Sequence, residues 1–286
     1  DDGAVKRHIS TAVVGTRGGV GASTLATSLA WLFSENHNSP TALLDLDVHF
    51  GTGALALDLE PGRGLTDAID NPSRIDGLFI ERAMIRANDN LSILSAEAPI
   101  NQPLMTDGSA FVQLEEEFRQ AFEMTLIDMP RNMLINFPQL LADVNLVLLT
   151  CELTLASARD TIRILSWLKA NAPHAHPMVV ANKAQPGVAE ISKADFEASI
   201  ERRIDFVIPY DVKAASNAAK LGQVFGDANR SSKATAAIKQ IAERIMGASE
   251  EELEGDVMVE EKKSLLGGFD FNGLLAKKDK EAEAAE

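Results

Sequence analysis

Cysteine and tyrosine each occur once in the 286 residues, as Cys151 and Tyr210. A single cysteine excludes the disulfide-stapled scaffolds of small secreted proteins and favours a reducing compartment. No apolar run approaches the ~18 residues that a membrane-spanning helix requires. The sequence begins Asp1-Asp2-Gly3, without the basic start and apolar stretch of a secretory signal. We therefore expect a cytoplasmic protein.

Positive charge is scarce as well. Acidic residues outnumber basic ones by 42 to 27, and the formal net charge is -15. A negative field repels phosphate backbones, so this composition disfavours nucleic-acid binding and favours a protein or a small molecule as partner. The hydrophobic fraction of 45% is that of a globular protein.

The end of the chain differs in composition from the rest. Residues 248–286 contain 12 acidic and 5 basic residues, with glycines that interrupt any long helix. This composition predicts a globular domain over residues 1–247 and a disordered acidic tail over residues 248–286. Within the tail, residues 262–278 place six large apolar residues between two lysine pairs. We expect a docking motif for a protein partner there, with membrane contact and an inert tail as alternatives.

Short apolar runs alternate with stretches of helical period along residues 9–246. Strands are predicted at residues 9–15, 41–48, 91–95, 124–128, 146–151, 178–181 and 206–208. Helices are predicted at residues 23–34, 108–122, 156–170, 192–200 and 232–246. The strands are apolar at nearly every position, which is typical of a sheet buried on both faces. The pattern predicts a three-layer, doubly wound, mostly parallel α/β fold. Residues 60–85 are predicted as helical loop structure that does not extend the sheet.

The most informative segment is Val-Val-Gly-Thr-Arg-Gly-Gly-Val-Gly-Ala-Ser-Thr at residues 13–24, where a predicted strand meets a predicted helix. Glycines let successive backbone N–H groups converge, and the helix N-terminus adds partial positive charge, so such a loop can hold phosphates. A glycine-rich turn without a ligand is the alternative.

Two positions of this loop depart from the phosphate-binding pattern G-x-x-x-x-G-K-[ST]: Thr16 replaces the first glycine and Ala22 the lysine. Ser23 keeps the hydroxyl that can ligate Mg²⁺. A charge-assisted contact contributes about 1.5–3 kcal/mol, so loss of the lysine weakens binding about tenfold to a hundredfold. Hydrolysis should suffer more, because charge develops on the transferring phosphoryl group in the transition state. Arg17 is the candidate substitute cation.

The run from Arg17 to Thr24 resembles the deviant Walker A box of the ParA/MinD superfamily, K-G-G-x-G-K-[ST]-[ST], with Arg17 and Ala22 at its two lysines. Residues 43–51 and 126–130 are similar to the switch I and switch II strand ends of that superfamily. Residues 180–183 and 207–211 resemble the two segments that enclose adenine. The resemblance covers about residues 9–246 and implies a P-loop nucleotide-binding domain that uses ATP and Mg²⁺.

The resemblance also implies a role for individual residues. Asp47 would orient the attacking water, and Arg17 would compensate phosphate charge, within its own subunit or across a nucleotide-sandwich homodimer. The metal ligands would be Ser23, Asp45 and Asp128. The nucleotide would be bound by Gly18, Gly19, Val20, Gly21, Ala22, Ser23, Thr24, Asn182, Lys183, Pro209, Tyr210 and Asp211. The alternatives are strand-end caps for the aspartates, a solvated loop arginine for Arg17, and a turn for Asn182 and Lys183.

Within the superfamily, the segments Asp128-Met129-Pro130-Arg131 and Ile208-Pro209-Tyr210-Asp211 are most similar to the CpaE/TadZ branch. This resemblance implies an ATP-binding localisation or assembly factor for a Flp/Tad-type pilus secretion machine. Its hydrolysis would be slow or absent, and its partners would lie at the inner membrane or the cell pole. An active ParA/MinD-type positioning or partitioning ATPase and a nucleotide-free scaffold are the alternatives. Members of the branch commonly carry an N-terminal receiver-like domain, so we expect this chain to be a short variant or part of a longer protein.

Overall fold

A computed structural model describes residues 7–214, 231–248 and 253. All of them fall within one compact unit, Asp1–Asp256. The docking motif predicted at residues 262–278 lies outside the described residues.

An eight-stranded sheet forms the centre of the fold, in the order β3-β4-β2-β5-β1-β6-β7-β8. The strands are β1 (Ile9–Gly15), β2 (Thr41–Asp45), β3 (Ile85–Arg86), β4 (Leu91–Leu94), β5 (Met124–Met129), β6 (Leu146–Cys151), β7 (His176–Ala184) and β8 (Phe206–Pro209). All pairings are parallel except that of β3 with β4. The predicted doubly wound α/β architecture is confirmed. In this topology the crevice at the carboxyl ends of β1 and β5 is where a ligand binds.

Helices cover both faces of the sheet. In the described residues they are α1 (Ala22–Asn36), α2 (Gly64–Asp70), α3 (Gly77–Ala83), α4 (Ser109–Ala121), α5 (Arg131–Asn136), α6 (Leu155–Asn171), α7 (Lys193–Ile200) and α8 (Lys233–Met246). Thr154, Ser192 and Ser232 cap the first turns of α6, α7 and α8 with their side-chain oxygens. Such caps satisfy backbone N–H groups that have no partner within the helix, which fixes where these three helices begin.

Alternating strand residues face apolar cores on opposite sides of the sheet. In β1, Val13 packs into the core covered by α1 and α8, whereas Ala12 and Val14 pack into the core covered by α2, α3, α4 and α6. Large side chains such as Phe33 on α1 and Phe118 on α4 are fully buried. Burial on both faces explains why the strands are apolar at almost every position.

Most boundaries agree with the sequence-based expectation to within two residues, and three segments differ in more important ways. Strand β2 ends at Asp45 instead of residue 48, because the Asp45 carboxylate accepts hydrogen bonds from the backbone of Asp47 and Gly53 and turns the chain. Strand β7 is longer than predicted and is irregular between Ala181 and Ala184. The expectation that residues 60–85 do not extend the sheet was wrong at its end, since Ile85 begins the edge strand β3.

Candidate functional site

The loop from Gly15 to Gly21 joins β1 to α1 at the carboxyl end of the sheet. The backbone N–H of Thr16 donates to the carbonyl of Thr150 at 2.9 Å, which anchors the loop to β6. Gly19 and Gly21 have φ angles of 80° and 91°, in the left-handed region that favours glycine. At Gly21 a Cβ would also collide with the side chain of Asn182. The loop therefore depends on its glycines for its path.

The loop has the properties of a phosphate cradle. A Cβ built at Gly18 or Gly19 would meet no described atom within 4 Å, so the space above the loop is open. Helix α1 begins directly after the loop, and among the described residues no side chain caps its first turn and no acidic residue lies in it. The positive end of a 15-residue helix thus meets a solvent-exposed glycine loop, an arrangement that fits a bound phosphate.

An acidic pair lies beside this cradle. Asp128 on β5 is next to Asp45 on β2 in the sheet register, and their side chains are 6% and 1% exposed. Burial, followed by the charges of Asp45 and Asp47, raises the pKa of Asp128 to about 7, against a hydrogen bond from Ser23 that lowers it. Ser23, in the first turn of α1, therefore lies close to this carboxylate. Asp128 and Ser23 could together help to hold a hydrated Mg²⁺ at the cradle, and that role stays a prediction.

Asp45 has a different environment from Asp128. Its Oδ1 accepts the N–H of Asp47 at 3.1 Å and its Oδ2 accepts the N–H of Gly53 at 2.9 Å. Burial raises its pKa. Both oxygens bond to the loop that follows β2, as the strand-end cap alternative predicts. Within the described residues, no group of three or more His, Cys, Asp or Glu side chains could by itself hold a metal ion.

Asp47 lies just beyond the end of β2 and is half-buried. Its Oδ1 accepts the N–H of Phe50 at 3.1 Å, and its carbonyl accepts the N–H of Gly51 at 2.9 Å. These bonds make a tight turn that holds the carboxylate near the acidic pair. The role of Asp47 in orienting water stays a prediction.

Arg17, the predicted substitute cation, belongs to a cluster on the other side of the loop. Its Nη1 lies 3.0 Å from Oδ2 of Asp160 on α6, whose side chain is 12% exposed. Arg131 at the start of α5 donates to the same oxygen at 3.1 Å and to the carbonyl of Thr16 at 2.6 Å. Arg163 lies 3.9 Å from the other oxygen of Asp160. Arg17 is therefore already paired within its own chain.

The structure brings the predicted adenine-binding residues to one pocket beside the loop. It is lined by Asn182, Lys183, Pro209, Tyr210 and Asp211, together with residues of α1 and α8. Asn182 Nδ2 donates to the carbonyl of Val20 at 2.9 Å. The ammonium of Lys183 donates to the carbonyl of Gly19 and lies 3.1 Å from the Glu152 carboxylate. Both side chains thus contact the phosphate loop itself.

Sequence reasoning missed Asp160 and Glu152. Both form ion pairs with residues far away in the sequence, and neither lies in a recognisable motif. One signal was available for Asp160. It lies between two arginines in the sequence, on the side of α6 that faces the domain. A buried acid on that side is costly unless a cation pairs with it.

The described part of the chain has no helix that combines the length and the apolarity needed to traverse a lipid bilayer.

The sequence matches no protein-family model and no curated protein. Solved structures, however, share its fold. A ParA family ATPase from Chlorobium tepidum TLS has a TM-score of 0.75 at 17% identity, over 84% of this chain and 98% of that chain. MinD in the MinC:MinD cell division complex of Aquifex aeolicus has a TM-score of 0.69 at 19% identity, over 84% and 96%. The septum site-determining protein MinD of Pyrococcus horikoshii OT3, complexed with Mg-ADP, has a TM-score of 0.69 at 17% identity, over 84% and 96%.

Identities this low show a common fold and no more. The chain has the mostly parallel α/β fold of ParA/MinD P-loop ATPase structures, as the sequence predicts. The finer resemblance to the CpaE/TadZ branch stays a prediction.

Proposed function

We propose that this protein binds ATP together with Mg²⁺ at the loop of residues 15–24 and acts as a nucleotide-dependent positioning protein of the ParA/MinD type. The observation that carries the proposal is the solvent-exposed glycine loop at the uncapped N-terminus of α1, with the buried pair Asp45 and Asp128 beside it. The Mg-ADP complex of the Pyrococcus MinD, whose fold is similar, supports the choice of ligand. A homodimer around the nucleotide is part of the proposal.

Hydrolysis should be slow. Ala22 provides no ammonium, and Arg17 is engaged with Asp160. A charge that develops on the transferring phosphoryl group is therefore poorly compensated from within the loop. Binding and dimerisation would carry the function, and turnover would reset it at a low rate.

A second candidate concerns the partner. The MinD of Aquifex aeolicus forms a complex with the protein MinC, which supports a protein partner for this chain too. The segment Asp128-Met129-Pro130-Arg131 favours a pilus secretion machine of the Flp/Tad type as that partner. Deletion of residues 262–278 should then abolish recruitment to the inner membrane or the cell pole and leave ATP binding intact, as fluorescence imaging of tagged protein would show.

A matched pair of glycine variants tests the cradle directly. Gly19 and Gly187 have φ angles of 80° and 78°, and a Cβ at either would meet no described atom within 4 Å. Gly19→Ala and Gly187→Ala therefore impose the same backbone strain without a clash, but only the first changes the loop that is proposed to bind phosphate.

We expect calorimetric titration to show micromolar Mg-ATP binding by the wild type and by Gly187→Ala, and a loss of at least tenfold in Gly19→Ala. Light scattering and phosphate release on the same samples should show ATP-dependent dimerisation and slow turnover. Equal ATP affinity in the two variants, or no binding by the wild type at millimolar ATP, would contradict the proposal.

A further inference from the structure

The phosphate loop contains a single basic residue, Arg17, and that residue is already paired. Asp160 binds Arg17 together with Arg131, and Arg131 also holds the loop carbonyl of Thr16. Recruiting Arg17 to a nucleotide would therefore break one of the ion pairs of a largely buried carboxylate, which would keep Arg131 and the more distant Arg163. Since Ala22 carries no charge and Arg17 is paired, a cation on another element is the next candidate to neutralise phosphate.

Lys183 on β7 approaches the loop from a backbone conformation that is unusual for a lysine. Its φ is 51°, in the left-handed region, and the pairing of β7 with β8 is irregular at this point. The neighbouring Asn182 donates to the carbonyl of Val20. Two successive residues of β7 thus bond to two successive carbonyls of the loop, which fixes the direction of the Lys183 side chain.

The ammonium of Lys183 lies against the backbone of the loop. It donates to the carbonyl of Gly19, the residue above which a Cβ would meet no described atom. Its other partner is Glu152 at 3.1 Å, and the two side chains are 38% and 35% exposed. A half-exposed ion pair is weak, so a multiply charged phosphate can compete with Glu152 for the ammonium.

We propose that Lys183 is the phosphate-binding cation of this site, carried by β7 in place of the lysine that the loop lacks at Ala22. The inference rests on the proposed ATP binding and assigns Lys183 a different task from covering adenine. A lysine that compensates phosphate charge contributes in proportion to the number of phosphates, whereas a lysine that covers the base contributes equally to adenosine and ATP.

The test measures the affinities of the full chain for ATP, ADP, AMP and adenosine by calorimetry in the presence of Mg²⁺. Lys183→Met removes the charge and keeps an unbranched apolar stem. Lys193→Met is the matched control, because Lys193 is a half-exposed lysine paired with Glu197 at 2.9 Å outside the loop. We expect Lys183→Met to lose about tenfold to a hundredfold in ATP affinity. The loss should be smaller for ADP and AMP and below about twofold for adenosine, and Lys193→Met should match the wild type.

A reciprocal variant and a labelling experiment check the assignment independently. Ala22→Lys should restore most of the lost ATP affinity in the Lys183→Met background. In the wild-type chain, ATP should protect Lys183 from amine acetylation, measured by mass spectrometry, and adenosine should not. The labelling requires no substitution, so it decides the matter even if Lys183→Met fails to fold.

The possible failures are distinguishable. Absence of ATP binding by the wild type would overturn the proposed function and this inference together. Normal ATP binding by Lys183→Met, equal losses for ATP and adenosine, or acetylation of Lys183 that ATP does not slow would overturn the role of Lys183 alone.

Discussion

The acidic and cationic sides of the site are built differently. Asp45 and Asp128 sit in adjacent strands, almost fully buried, and their positions are set by the sheet register. The cations Arg17, Arg131 and Lys183 lie on loop or helix-terminal segments or at an irregular strand end, with long side chains that are partly exposed. An aspartate side chain is short, so its carboxylate can contact a ligand only close to the strand position that carries it. A long cationic side chain can serve the same point from several elements, so the positive charge of such a site can change its position in the sequence while the acids stay in place.

The largest expected effect concerns the acidic side. The pKa of Asp128 is about 7 in the folded protein against an ordinary value of 3.8. Between these pH values the folded state binds more protons than the unfolded state, so this group makes the metal-free protein less stable as the pH rises from 4 to 7. The difference between the two pKa values corresponds to a loss of up to about 4 kcal/mol in unfolding free energy at and above pH 7. Asp128→Asn should therefore be more stable than the wild type at pH 8 and should lose the gain in ATP affinity that Mg²⁺ gives.

Urea denaturation at pH 5 and pH 8 without Mg²⁺ checks this expectation, with Asp89→Asn as the exposed control. The test compares the difference in unfolding free energy between the wild type and Asp128→Asn at the two pH values. The same difference at pH 5 and pH 8 would show that burial does not raise the pKa of Asp128.

The next effect concerns the cluster around Asp160. Asp160→Asn removes the charge that holds Arg17, Arg131 and Arg163 together, and we expect a loss of about 1–3 kcal/mol in unfolding free energy. The more exposed pair of Arg119 and Asp143 provides the control, because Asp143→Asn should cost below about 1 kcal/mol. Thermal denaturation of the two variants measures the difference, and equal losses would mean that Asp160 is an ordinary surface acid.

The smallest expected effect concerns the ion pair of Lys183 on the cationic side of the site. Glu152 competes with phosphate for Lys183, so Glu152→Gln should raise ATP affinity by about twofold to fivefold, the range of a half-exposed ion pair. Glu197→Gln, which removes the partner of Lys193, should leave the affinity unchanged. Calorimetric titration distinguishes the two, and a lower affinity in Glu152→Gln would mean that Glu152 orients Lys183 instead of competing for it.

The fold and the location of the site could be predicted from the sequence because both depend on local patterns. The apolar strands, the loop glycines and the aspartates at the ends of β2 and β5 are each readable within a few residues. The end of β2 was predicted too late, because it is decided by hydrogen bonds from Asp45 to residues as far away as Gly53.

The cationic side could not be predicted in the same way. Arg17 and Asp160 are 143 residues apart, and Lys183 is 164 residues from Gly19. The direction of Lys183 also depends on a left-handed residue that no motif announces. Spacing identified which residues gather at the site, but the choice of bonding partners among them is a property of the folded chain.

Arg131 links two parts of the structure in addition to supplying a positive charge. It donates both to the carbonyl of Thr16 and to Asp160, so the start of α5 cannot move away from the phosphate loop without breaking one of these bonds. The loop is therefore linked directly to α5, and through Asp160 to α6. A displacement of the loop that keeps these bonds would therefore also displace the exposed surface residues Ile135 on α5 and Leu155 on α6.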